Sequence, residues 1–250
     1  MTKDPSNVTA IGGVHAVKAL LKGAPQGVQE LLILQGRRDS RVRALKEAAV
    51  GAGIPVRECD RRVLDDMAVE VGHQGVVALF QGKALGSEKD LMPHLQTVAG
   101  PWLVLVLDEI QDPRNLGACL RSADAAGVHA VVVPIDNCPG LTPVVRKTAA
   151  GAAETVPIFQ VTNVRRTLQL LQDSGVWVHG AAGEATEAVF DVDFSGSVAL
   201  VMGSEGAGLR RLTKETCDGL FQIPMKGQVS SLNLSVATAV ALFEVNRQRR

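Results

Sequence analysis

Paired cysteines are missing from this sequence. Its four, Cys59, Cys119, Cys138 and Cys217, lie far apart with no C-x-x-C between them, which argues against a disulfide framework and against structural zinc. The five histidines, His15, His73, His94, His129 and His179, are equally scattered with no H-E-x-x-H, so no metal site is expected. No apolar run approaches the ~20 residues that cross a bilayer; the longest, such as WLVLVL, have strand length. The opening MTKDPSNVTA is polar, and no basic stretch precedes a long apolar run, so no secretory signal is read. A net charge is lacking too, which argues against a strong nonspecific nucleic-acid binder. These absences leave a soluble, cytoplasmic protein with no membrane partner as the expectation, and a hydrophobic content of 46% in 250 residues is ample for one core or two.

What is present falls into two parts. Residues 1–83 hold 12 Lys and Arg against 9 Asp and Glu, whereas the remainder holds 14 against 17. With basic clusters at GRRDSRVR (36–43) and RECDRR (57–62), that asymmetry fits phosphate contacts to a partner, or ordinary solvated helix faces. The spacing of Val14, Val17, Leu20 and Leu21 predicts a helix ending at Gly23, and VQELLIL reads as a buried strand. A helix from Ser40, a strand at IPVREC, a helix at RRVLDDMAVEV and a strand at GVVALF complete a small α/β domain over residues 1–82. Polar, glycine-dotted residues 83–100 read as a linker, with room for a helical turn in the middle. From residue 101 to 250 the runs WLVLVLD, HAVVVP, VPIFQV, VWVHGAA, SVALVMG and LFQIPM read as strands apolar throughout, as strands covered on both faces do. Helical segments separate them, with start signals at Thr142 before Pro143 and at Thr162 or Asn163. The last, SLNLSVATAVALFEVNRQRR, places Val236, Ala239, Val240 and Phe243 on one face. The predicted fold is α/β, a mostly parallel sheet with helices on both faces, where ligands collect beyond the carboxyl ends of the strands.

Three polar clusters fall at such strand ends. LDEIQDPRNLGACLRSADAAG (107–127) sets Asp112 before Pro113 as a helix start, buries Leu116, Cys119, Leu120 and Ala123, and ends at Gly127. Arg121 lies off that stripe, and Asn115 lies in the first turn or caps it. VMGSEGAGLRR (201–211) runs G-x-x-G-x-G rather than the dinucleotide G-x-G-x-x-G, no G-K-[ST] follows, and Glu205 at its centre would repel a phosphate. IPMKGQVSSLNLSVA (223–237) offers Ser230, Ser231, Asn233 and Ser235 at one helix start, where an ordinary cap needs one such residue.

Taken in order and spacing, D-x-x-x-D-P-x-N-x-G-A-x-x-R, V-M-G-S-E-G-x-G-L and I-P-M-x-G-x-x-S-S-L-N-x-S-V-A resemble the three signatures of the SpoU/TrmH branch of the SPOUT methyltransferases. The resemblance spans the whole chain, since the first α/β domain is similar to the ribosomal-protein-like substrate-binding domain of many members. It implies a C-terminal trefoil knot holding S-adenosylmethionine, a homodimer, and 2′-O-methylation of an RNA ribose. Segments such as GAAETVPIFQVTNVRRTLQLLQ look closest to members that methylate a guanosine in the peptidyl-transferase region of 23S rRNA, free or in a large-subunit assembly intermediate. Lys226, after Ile-Pro-Met where a small residue is common, is the one oddity.

The resemblance also assigns roles. Gly203, Ile223 and Leu232 would line the cofactor largely through backbone groups, and the glycines would serve close backbone approach. Arg121, Asn115, Glu205, Ser231 and Asn233 would form the catalytic set. A guanidinium is effectively always protonated, so Arg121 is expected to grip the target phosphate and stabilise a developing alkoxide, oriented by Asn115. Glu205 would be the base or would orient Arg121, and Ser231 and Asn233 would position ribose or donor; the partner subunit could complete the site. The rival readings are a tRNA ribose 2′-O-methyltransferase and a noncatalytic RNA-binding ribosome-assembly factor. A nucleotide-dependent oxidoreductase is disfavoured by the glycine spacing.

Overall fold

The computed structural model describes residues 8–68, 72–81 and 85–250. The expected domain boundary at 82 and 83, and the end of the helix read from Arg61, at 69–71, lie outside the described residues. The chain forms two compact units, one from Met1–Ala84 with Leu141–Thr155, the other from Leu85–Gly140 with Val156–Arg250.

The first unit opens with β1 (Val8–Gly12), α1 (Val14–Gly23), β2 (Val28–Leu34), α2 (Ser40–Gly51), β3 (Val56–Cys59), α3 (Arg61–Met67) and β4 (Val76–Gln81). The sheet order is β1-β4-β2-β3, with β2 and β3 parallel and β4 antiparallel to both β1 and β2. Side chains of β2 alternate as a pleated strand requires. Leu31 and Ile33 join the core with α1 and α2, while Leu32 faces the opposite way with Leu64 of α3 and Val77. The sequence reading passed over β1, whose first three residues are exposed or only partly buried on an edge strand and so carry a weak apolar signal.

The second unit begins inside the expected linker. β5 (Gly86–Ser87) pairs with a strand of the larger sheet, and α4 (Glu88–Leu95) buries Leu91 and Leu95 behind a Ser87/Asp90 capping box. There follow β6 (Leu103–Leu107), α5 (Pro113–Ala126) and β7 (Ala130–Pro134); then α6 (Pro143–Ala149) and α7 (Ala152–Thr155), which belong to the first unit; then β8 (Ile158–Val161), α8 (Val164–Asp173), β9 (Trp177–Ala181), β10 (Glu187–Ala188), β11 (Val198–Met202), α9 (Arg211–Thr216), β12 (Gly219–Gln222) and α10 (Leu234–Gln248) of the second. All the pairings in this sheet are parallel, in the order β10-β12-β9-β11-β6-β7-β8-β5. Every residue of β6, β7 and β11 is buried. On one face α4 and α8 supply Leu91, Leu95, Val164, Leu168 and Leu171 to a cluster with Val104, Val106, Ala199 and Val201. α5 and α10 pack against each other, where the Cys119 thiol donates to Thr238 Oγ1 at 3.6 Å. Burial pushes that thiol up to about 11. No helix among the described residues is long and apolar enough to cross a membrane.

Two details correct the sequence reading. The segment 83–100 is not a plain linker, because β5 and α4 are built into the second unit. Residues 141–155, expected in the 101–250 domain, belong to the first unit. There the Arg146 guanidinium lies 5.5 Å from the Phe80 ring centroid and pairs with buried Glu154, and Gly151, at φ +104°, approaches Ala19 so closely that a Cβ would stand 2.6 Å from the alanine methyl. In α10, Leu234, Thr238, Ala241, Leu242 and Val245 are buried, and Val236 and Phe243, of the apolar face read from the sequence, are about half exposed, at 48% and 50%. That helix is apolar on two sides, so periodicity alone does not say which side faces the core.

The end of the chain is tied down. Arg249 donates to the carbonyls of Phe194 (3.0 Å), Trp102 (3.0 Å), Gly196 (2.5 Å) and Pro101 (3.4 Å), and Gln248 exchanges hydrogen bonds with Phe194 N–H (2.8 Å) and Val192 carbonyl (2.9 Å). Replacing Arg249 by alanine strands carbonyls that have a charged donor, and is expected to lower stability by about 1.5–3 kcal/mol. Urea unfolding followed by circular dichroism, with an unchanged slope and a lower midpoint, is the check.

Candidate active site

Parallel pairing sets β6 and β11 side by side with Leu107 opposite Met202, so the residues that follow both strands emerge together. The Asp108 N–H donates to the Met202 carbonyl at 2.8 Å. Beyond Met202 the chain makes a tight loop closed by two backbone hydrogen bonds between Ser204 and Gly208, of 2.9 and 3.0 Å. Gly206 (φ 90°) and Gly208 (φ 71°) take the left-handed conformations it needs. Gly203 is required for a different reason: a Cβ there would stand 2.2 Å from the Gly208 carbonyl carbon and oxygen, which are backbone and have no room to yield. Arg210, at the end of the loop, pairs with buried Asp108, whose carboxylate holds the guanidinium above its ordinary range. The loop is thereby anchored to the first polar cluster.

Asp112 caps α5 by accepting from Arg114 N–H at 2.8 Å, with Pro113 at the first helical position, and Gly127 (φ 70°) ends the helix as expected. This places Asn115 in the first turn, buried. Its Nδ2 donates to Glu205 Oε2 at 3.0 Å, and its Oδ1 accepts from Asn233 Nδ2 at 2.9 Å. One amide therefore joins all three polar clusters. Asn233 also caps α10, its Oδ1 accepting from the Ser235 N–H (2.9 Å) and hydroxyl (2.6 Å). The surplus of polar residues at this helix start divides accordingly: Asn233 and Ser235 cap, while Ser230 and Ser231 form no hydrogen bond among the described residues and line a cavity.

That cavity, of about 480 Å³, lies beyond the carboxyl ends of β9, β11 and β12 and has the size of a small-molecule site. Gly203, Glu205, Ser231, Ile223 and Leu232 all line it; Asn115 is hydrogen-bonded to Glu205 at its edge, and Asn233 reaches that edge through Asn115. Arg121 stands apart. It is exposed on α5, absent from the lining, and without a hydrogen bond or ion pair among the described residues. The expected orientation of Arg121 by Asn115 is corrected: at ~100° per residue, six positions turn the two side chains to different faces, and both ends of the Asn115 amide are already engaged.

The lining fits S-adenosylmethionine in kind. Met202, Phe221, Ile223 and Leu232 offer apolar surface to a base, glycine backbone allows close approach, and a single cation, Lys214, lines the cavity among the described residues, so nothing there is built for a polyphosphate. Two features escaped sequence reasoning, namely the anchor between Asp108 and Arg210 and an ion pair on the cavity wall between Glu184 and Lys214. Asp108 was visible inside a signature, whereas Glu184 and Lys214 sit in unremarked segments 30 residues apart.

Residues 102–243 match the SpoU rRNA Methylase family, and residues 10–84 match the RNA 2′-O ribose methyltransferase substrate-binding family. The chain is 52% identical over 240 residues to the 23S rRNA (guanosine-2′-O-)-methyltransferase RlmB of Shewanella oneidensis, covering 96% of this chain and 97% of that protein. It is 53% identical over 237 residues to RlmB of Pseudomonas aeruginosa, covering 95% of each. Among solved structures, the AdoMet-bound rRNA methyltransferase of Sinorhizobium meliloti superposes with a TM-score of 0.75 at 25% identity, covering 97% of this chain and 88% of that one. With its signatures gathered at one cavity and such a match along nearly its full length, the chain belongs to the SpoU rRNA methylase family.

Proposed function

We propose that this protein transfers a methyl group from S-adenosylmethionine to the 2′-oxygen of a guanosine ribose in 23S rRNA, in the peptidyl-transferase region. The observation that carries the reading is the joining of Asn115, Glu205 and Asn233 from three separate signatures at the rim of one cavity. It is supported by relatives of that activity at 52% and 53% identity over nearly the whole chain.

Bound in the cavity, S-adenosylmethionine supplies a methyl group on a sulfonium, open to in-line displacement by the ribose oxygen. Gly203, Ile223 and Leu232, which line the cavity, would hold its adenine through backbone groups. Glu205 accepts the 2′-hydroxyl proton and, being exposed, passes it to solvent. Its other oxygen is held by Asn115, and Asn233 fixes which way the Asn115 amide points, so the base is aimed before substrate arrives. Ser231 orients the ribose. Arg121, with no competing carboxylate among the described residues, grips a backbone phosphate and stabilises negative charge developing on the ribose oxygen. Alignment does much of the work, since effective molarities of ~10⁵ M or more are open to well-oriented groups.

The first unit engages the RNA. In support, Arg38, Arg41, Arg43 and Arg62 are exposed with no carboxylate partner among the described residues, unlike Arg37, Arg57 and Arg61. The same reading gives the chain the family's trefoil knot, in keeping with its course from β12 on one side of β9 back to α10 against α5. It also makes the protein a cytoplasmic homodimer, paired through the outward apolar face of α10 at Val236, Ala239, Val240 and Phe243. The substrate is 23S rRNA, free or in a large-subunit assembly intermediate.

Incubated with methyl-labelled S-adenosylmethionine and unmodified 23S rRNA or tRNA in parallel, the protein is expected to place label in 2′-O-methylguanosine from 23S rRNA alone. Label confined to tRNA would discard the rRNA assignment. Arg121→Ala should keep cofactor affinity and lose about 100-fold or more in turnover, the scale of removing one transition-state donor; near-normal turnover sinks its role. Glu205→Gln should lower turnover by about 100-fold or more without loss of cofactor binding. Phe243→Asp should convert a dimer into a monomer on gel filtration with light scattering, and a wild-type monomer would count against the pairing.

A further inference from the structure

We propose that Glu184 and Lys214 form the binding site for the amino-acid end of S-adenosylmethionine, Lys214 taking its α-carboxylate and Glu184 its α-ammonium. The proposal rests on the reading of the cavity as the cofactor site.

Glu184 follows β9 and Lys214 lies on α9. Their side chains meet as an ion pair on the wall of the cavity, and both line it. Lys214 is placed by the loop already described: α9 begins where that loop ends, the Lys214 N–H donates to the Arg210 carbonyl at 2.9 Å, and its neighbour Thr213 is buried. The Lys214 side chain is one third exposed and that of Glu184 two thirds exposed, so the contact adds little to stability as an ion pair alone. Hydrogen bonding from Lys214 holds the Glu184 carboxyl below its usual range.

Charge matching gives the pair its ligand. Three side chains on the described lining carry charge, Glu184, Glu205 and Lys214, for a net of one negative charge. S-adenosylmethionine carries the complement: a sulfonium and an ammonium against one carboxylate. Glu205 is engaged by Asn115. The remaining pair is the one place on the lining where a carboxylate meets a cation, and it sets an anion beside that cation for the ammonium. An ammonium and a carboxylate borne on one carbon, laid against a contact pair of opposite order, make a ring of four charges in which each keeps an opposite neighbour. The ligand adds to the ion pair without having to break it.

Titration calorimetry on the full chain tests this with three ligands: S-adenosylmethionine, S-adenosylhomocysteine, which keeps the amino-acid end but not the sulfonium, and 5′-methylthioadenosine, which lacks that end. The expected result is that Lys214→Met and Glu184→Gln each weaken the first two by about tenfold or more, as loss of a charge-assisted hydrogen bond does. Affinity for 5′-methylthioadenosine should stay within about twofold of wild type, which also reports an intact cavity. Equal weakening of all three ligands, or unchanged S-adenosylmethionine affinity, overturns the proposal. The double exchange Glu184→Lys with Lys214→Glu restores the ion pair with reversed order; it should stay weak for S-adenosylmethionine, and recovery to wild-type affinity would mean that the pair acts only structurally. Failure of the wild-type chain to bind S-adenosylmethionine would instead overturn the reading of the cavity, a result separate from any effect of these variants.

Discussion

The Asn115 side chain is the joint on which the site depends. Its two hydrogen bonds reach partners 90 and 118 residues away in sequence, and both its donor and its acceptor are engaged in a buried position. An amide is suited to this place because it donates at one end and accepts at the other, so Glu205 receives a hydrogen and Asn233 gives one. A carboxylate in the same position would repel Glu205, and an apolar residue would leave two long loops without a common reference. The two strand-end loops and the start of α10 are separate excursions of the chain, and the buried amide makes them one surface.

The parallel sheet makes that joint possible. Strands running the same way deliver their following loops to one edge, so residues after β6, β9, β11 and β12 converge without long reaches across the molecule. Glycine then decides how closely the loops approach. At Gly203 the limit is the neighbouring backbone rather than conformation, whereas at Gly206 and Gly208 it is the left-handed turn itself. The resulting cavity carries both apolar side chains and an ion pair, a combination that suits a ligand with an aromatic base and a zwitterion.

Much of this was legible in the residues. Uninterrupted apolar runs marked the buried strands, Asp112-Pro113 and Gly127 marked the ends of α5, and Thr142 and the pair Thr162/Asn163 marked two further helix starts, of which Thr142 and Asn163 supply the side-chain caps. The ordered signatures pointed to Gly203, Glu205, Ser231, Ile223 and Leu232, which share the cavity. What escaped did so for physical reasons. The edge strand β1 and the short β5 bury too little to stand out, and α10 is apolar on two sides. The placement of residues 141–155 depends on Phe80 and Ala19, more than 60 residues earlier, and no local pattern encodes such contacts. Arg121 and Asn115 share a signature, yet helical rotation separates them; proximity in a motif is not proximity in space.

The clamp at Arg249 has a consequence for folding. Its guanidinium closes on the carbonyls of Pro101 and Trp102, almost 150 residues earlier in the sequence. Asn233, the last member of the joined set, precedes it by only 16 residues. Contacts of such long sequence separation carry the entropy of closing a long loop before they add anything to stability. The completed site is therefore the product of a non-local closure between β6 and the segment that holds Asn233 and Arg249, a slower event than the folding of any one helix or turn.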